Sequence, residues 1–127
     1  MKNKLSARSL VLLASITVSF NSQAATITKS ATGTDLTDGA SWGGTAPTAV
    51  DAATWTGSSL GAGLTVGSSV SWQGITATGA LSDIGITGVA DLTLGSSGID
   101  LASSSVNLSI SNPITLGAPQ TWRVASS

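Results

Sequence analysis

The chain has 127 residues, with no Cys, His or Tyr and a single Phe. Its length allows one domain, and charged residues make up only 9%, against about 25% in an ordinary soluble domain. Without Cys there are no disulfides, thiolate metal sites or cysteine nucleophiles. Without His the commonest general base and metal ligand are missing as well. Most enzyme chemistries are therefore disfavoured before any motif is read.

The chain opens with Lys2, Lys4 and Arg8, followed by an uncharged stretch at 10–20 (LVLLASITVSF) and then Asn21-Ser22-Gln23-Ala24-Ala25. A basic start, an apolar centre and a small-residue end make a secretory signal peptide. Ser22 and Ala24 are small at the −3 and −1 positions, which places the cut between Ala24 and Ala25; a cut after Ala25 is the alternative. The apolar stretch falls well short of the roughly 20 residues that span a bilayer. No Cys follows it, which excludes a lipoprotein anchor. Residues 1–24 are thus expected to form a signal-peptide helix, with the secretion machinery as its partner. Its removal leaves Lys29 and Arg123 against six Asp and no Glu, a net charge of −4. Such a surface cannot neutralise phosphates, so nucleic acid and anionic membrane are not expected partners.

Residues 25–50 read as a Gly/Thr-rich N-terminal segment, and 51–127 as a run of short strands. Leu64 and Val66 alternate before Gly67. Val70 and Trp72 alternate, and Gly74 then shifts Ile75 to the other parity, which predicts a bulge or bend. Ile84 and Ile86, Leu92 and Leu94, Ile99 and Leu101, then Val106, Leu108 and Ile110 follow in turn, each set closed by Gly, Ser or Asn-Pro. Ile114 and Leu116, then Trp122 and Val124, complete the series. Period two over a few residues is the mark of a half-buried strand.

Strands this short, with small turn residues between them, suit a solenoid. Three strands and three turns per coil take roughly 20 to 25 residues, so about four coils fit. Inward Ile, Leu and Val would form ladders between coils stacked about 4.8 Å apart. The alternative is a small antiparallel β-sandwich. A solenoid leaves an open edge at each end that needs a cap or a further coil. The pattern runs on to Val124 without a polar cap, so the chain is expected to be the N-terminal piece of a longer protein.

Several segments resemble one family. Trp42-Gly43-Gly44, Ala46-Pro47 and Asp51-Ala52-Ala53-Thr54-Trp55 form a Trp, Pro, Asp-x-Ala-x-aromatic opening. The segments 70–75 (VSWQGI), 92–101 (LTLGSSGIDL) and 114–124 (ITLGAPQTWRV) follow. Together they resemble bacterial autotransporter-associated β-strand repeat proteins. The resemblance implies a Sec-exported, surface-displayed or secreted passenger with a right-handed parallel β-helix. The family's repeat proper and its C-terminal outer-membrane barrel are absent from this sequence.

Candidate sites are few. Asp35 and Asp38, with Thr34 and Thr37, offer oxygen ligands to Ca²⁺, but the same residues suit an Asx turn before Gly39. Trp42 lies in a Gly-rich stretch and is the candidate for glycan contact by ring stacking. Trp72 and Trp122 share parity with Val70 and Val124 and are expected inside. A lyase would need a cation and a base, and only Lys29 and Arg123 supply cations, far apart in sequence. No Gly-Lys-Ser/Thr follows a glycine run, so no phosphate loop is read. Asn107-Leu108-Ser109 is a formal glycosylation sequon inside an alternating strand.

The resulting expectation is an all-β, non-catalytic structural passenger segment without cofactor, adhesin-like, with surface glycan or matrix as partner. A carbohydrate-binding module using Trp42 and a lyase-like remnant are the alternatives. The leader reading has a direct check. Intact-mass analysis of the chain recovered from an exporting bacterium is expected to give a first residue of Ala25.

Overall fold

The computed structural model describes residues 24–125. The helix expected over the leader lies outside them, except for Ala24. The described chain is a parallel β-solenoid of about four turns.

Among the described residues nine strands follow in order: β1 (Thr26–Thr28), β2 (Ala52–Trp55), β3 (Leu64–Thr65), β4 (Val70–Thr78), β5 (Ile84–Thr87), β6 (Leu92–Ser103), β7 (Leu108–Ile110), β8 (Ile114–Leu116) and β9 (Trp122–Arg123). Every pairing among them is parallel. That overturns the antiparallel sandwich, which needs hairpins. One sheet runs β1-β2-β4-β6-β8, with β9 also on β6; the other runs β3-β5-β7.

The long strands β4 and β6 bend, so the larger sheet covers two sides of the coil. On one side, 70–72 pairs with 92–94, which pairs with β8. On the next, β1, β2, 74–76, 98–100 and β9 stack in sequence. The smaller sheet closes the third side, and the Asp35–Thr65 bridge extends it into the first coil. Residues 25–50 therefore belong to the same stack, because they carry β1 and that bridge. Rungs lie 22–26 residues apart, as Thr26 pairs Ala52, Ala52 pairs Gly74 and Gly74 pairs Gly98.

The bend predicted at Gly74 is present. Trp72 pairs Leu94 and Gly74 pairs Gly98, so the single residue Gln73 faces three residues, 95–97, of β6. Gln73 Nε2 donates to Ser96 Oγ at 2.7 Å across this corner. The corner is tight on its inner rungs. A Cβ on Gly74 would sit 2.6 Å from the Gly98 carbonyl oxygen, and Gly98, at φ +62°, leaves no room beneath Thr121 O.

Inward side chains line up between rungs. Ala53, Ile75 and Ile99 form one ladder, Trp72 and Leu94 another, and Leu64 and Ile86 a third, all buried. Near the N-terminal end three indoles fill the interior. Trp42 meets Trp55 edge-on at 5.4 Å and Trp72 edge-on at 5.7 Å. Such perpendicular contacts favour the ring quadrupoles. Trp55 is register-paired with Ala77, a large ring against a small neighbour. The Trp42 and Trp55 ring N–H groups donate to Leu36 O at 3.0 Å and Leu60 O at 3.2 Å.

The ladders predict a gradient of sensitivity along the stack. Leu92→Ala, in a fully buried rung, is expected to cost about 3 kcal/mol. Leu116→Ala, on the last rung, is expected to cost under about 1 kcal/mol. Chemical denaturation of the two variants checks the difference; equal losses would contradict the ladder account.

Candidate docking face

The two ends of the solenoid differ. At the N-terminal end Leu36 and Trp42 are buried beneath the segment that carries the 3-10 helix Gly39–Trp42. Lys29 is also buried there, 1% exposed. Its ammonium donates to Thr32 O at 2.7 Å and Ser30 O at 3.1 Å, and burial lowers its pKa from the ordinary lysine value. Its backbone is anchored as well: Lys29 N–H donates to Thr54 O, and Ser59 Oγ donates to Lys29 O.

At the C-terminal end the ladders stay uncovered. Leu94 is buried but its register partner Leu116 is 59% exposed, and Ile99 is buried but its partner Trp122 is 53% exposed. Val124 is 74% exposed. A depression of about 270 Å³ lies between Ile99, Leu101 and Leu108 on one side and Ile114, Trp122 and Val124 on the other. The face is apolar, and it is bordered by the edges of β8 and β9, which pair with no further strand among the described residues. Such an edge can pair with a further parallel strand.

Trp42 therefore corrects the sequence expectation. It is 5% exposed and wedged between Trp55 and Trp72, so its faces are not offered to a sugar. Its Gly-rich neighbours signal a turn, but the turn folds inward as a 3-10 helix, with Gly43 at φ +77° closing it. Trp72 is inside as expected, at 1% exposed. Trp122 is not, although it occupies the inward position of its rung. Alternation gives direction along a strand, and burial also requires a neighbouring rung.

Asp35 and Asp38 make the Asx turns of the second reading. Asp35 Oδ1 accepts from Thr37 N at 2.9 Å and from Thr37 Oγ1 at 2.6 Å, and Asp38 Oδ1 accepts from Ala40 N at 2.9 Å. Among the described residues, no cluster of three or more acidic side chains is arranged to hold a metal ion. Other carboxylates fasten corners in the same way. Asp51 Oδ2 accepts from Thr48 N and Thr48 Oγ1. Asp83 accepts from Asn107 N and Nδ2, one coil further on. Asp100 Oδ1 accepts from Ala102 N, and its other oxygen lies 3.7 Å from exposed Arg123. This corner opens outward into a polar cleft between Ser96, Ser97, Gln120 and Arg123. Most of these corner bonds are local, two or three residues apart, but Asp83–Asn107 joins residues 24 apart that pair only after folding, and no local motif announces it.

The hydrogen bonds from Thr37 and Thr48 hold the Asp35 and Asp51 carboxyls below the usual carboxylate pKa, as the Asn107 donors do for Asp83. A carboxyl with a folded pKa below its unfolded one supports the fold above the ordinary value, and that support is lost as pH falls. The melting temperature is expected to hold between pH 7 and 5 and to drop below about pH 4. Asp51→Asn should flatten the drop. A melting temperature that rises on acidification would contradict this assignment.

No protein-family model, curated protein or solved structure matches the chain.

Proposed function

We propose that the chain is an exported, non-catalytic structural segment, a β-solenoid passenger that holds binding surface away from the cell. The observation that carries this reading is the contrast between the two ends. One is closed by buried Leu36, Trp42 and Lys29, and the other presents Leu116, Trp122 and Val124 to solvent. A rung whose inward aliphatics are bare is a seat for a further parallel coil, which would extend the same ladders and pair the free edges of β8 and β9. Solenoids gain stability from such nearest-neighbour interfaces.

The distribution of charge supports the same reading. Five of the six carboxylates, all but Asp91, are bound into turns and corners. Lys29 is bound into the first coil, and Arg123 faces Asp100. Adhesion or matrix association is the use this scaffold fits, with the repeated outer faces as the displayed surface.

The test extends the stack. A further coil repeating Leu92, Leu94, Ile99 and Leu101 at inward positions, with a polar outer side, is fused after residue 125. The melting temperature is expected to rise by about 4–8 °C for each kcal/mol gained. External protease is expected to remove the extended protein from intact exporting cells. An added coil that leaves the melting temperature unchanged, or a protein retained in the cytoplasm, would count against the reading.

A further inference from the structure

Ala25 stands beside a prepared carboxylate. Its backbone N–H donates to Asp51 Oδ1 at 3.2 Å. The other oxygen, Asp51 Oδ2, is fixed by Thr48 N at 2.9 Å and Thr48 Oγ1 at 2.6 Å, and Asp51 N–H donates back to Thr48 O at 3.0 Å. The carboxylate is therefore aimed before any charge arrives. The backbone around it is equally fixed. Ala52 N–H donates to Ala25 O at 2.8 Å, and Gln73 N–H donates to Asp51 O at 2.8 Å. Ala24 and Ala25 are both exposed.

We propose that cleavage between Ala24 and Ala25 converts this contact into an ion pair, the new α-ammonium of Ala25 on Asp51, which locks β1 to β2 in the mature protein. The inference rests on the export reading and goes beyond it. Water adds across the Ala24–Ala25 peptide bond. Its oxygen joins the Ala24 carbonyl carbon, which leaves as a carboxylate, and the Ala25 nitrogen takes the protons and becomes an ammonium. The atom that donated one neutral N–H now carries a full charge at the same place. Charge-assisted hydrogen bonds of this kind are shorter and roughly twice as strong as neutral ones. The geometry also distinguishes the two cuts: a cut after Ala25 would remove the nitrogen that faces Asp51.

The lock closes the N-terminal edge. β1 is a three-residue strand, paired to the stack through β2. A short edge strand frays unless its end is tied. The ion pair ties it only once the leader has gone, so the unprocessed chain keeps a looser first rung.

The test uses the chain recovered from an exporting bacterium. Intact mass gives the first residue. The wild type and Asp51→Asn are then melted, each before and after selective acetylation of the α-amine, with a single acetyl group on the first residue shown by peptide mapping. Acetylation is expected to lower the melting temperature of the wild type by several degrees and to leave that of Asp51→Asn unchanged, because the partner charge is already gone. Acetylation that leaves the wild type unchanged, or that shifts both proteins equally, overturns the ion pair while the export reading stands. If Asp51→Asn does not fold, the wild-type shift decides alone. A first residue other than Ala25 overturns both the cut and the lock.

Discussion

The fold depends on in-register stacking of inward side chains between parallel rungs. Each rung is too short to bury anything alone; β3 and β9 are two residues long. An inward Leu or Ile leaves water when a neighbouring rung places another apolar residue at the same position and the first coil or a second rung covers its other side. Burying such a side chain fully is worth about 1.5–3 kcal/mol, so a rung covered on both sides is secured and a rung with one open side is not. That single condition makes Leu92 and Leu94 fully buried while Ile114 and Leu116 on the adjoining rung are exposed.

The first coil solves the end problem differently. Three indoles and Leu36 fill a space that the small residues Ala53 and Ala77 leave open. The buried ammonium of Lys29 gathers the carbonyls of the following turn. Carboxylates then fasten corners rather than faces, each accepting from N–H groups that a bend would otherwise leave without partners. A chain with 9% charged residues thus uses almost all of its acidic groups to hold shape. The sides between the corners remain plain arrays of Ser, Thr and Gly.

Much of this architecture can be read from the residues in order. The alternations at Val70–Trp72, Leu92–Leu94 and Ile114–Leu116 mark the three stacked segments of one side, and Gly74 marks the bend. Asp35 and Asp38 have the spacing of Asx turns. Other features resist such a reading. Trp42 sits among glycines, a neighbourhood that suggests an exposed loop, yet it is enclosed by Trp55 and Trp72, 13 and 30 residues away in sequence. Trp72 and Trp122 share the same inward parity and differ in exposure from 1% to 53%, because Trp72 lies between its rung partner Leu94 and the indoles of Trp42 and Trp55, whereas Trp122 has only Ile99 as a rung partner.

The sequence alone determined the period of two and the bend at Gly74, since these follow from local sterics and from which residues tolerate turns; the short units read at 92–94 and 99–101 are joined by the structure in the single strand β6. Those constraints suit a solenoid of short rungs but leave a small antiparallel sandwich open, and the parallel pairing decides between them. Tertiary structure decided which inward residues are covered, where the three indoles meet, and that Asp51 is poised on Ala25. Each of those outcomes joins residues remote in the chain, commonly one coil of 22–26 residues away. No local pattern records how the coils are aligned; the register of stacked backbones settles it.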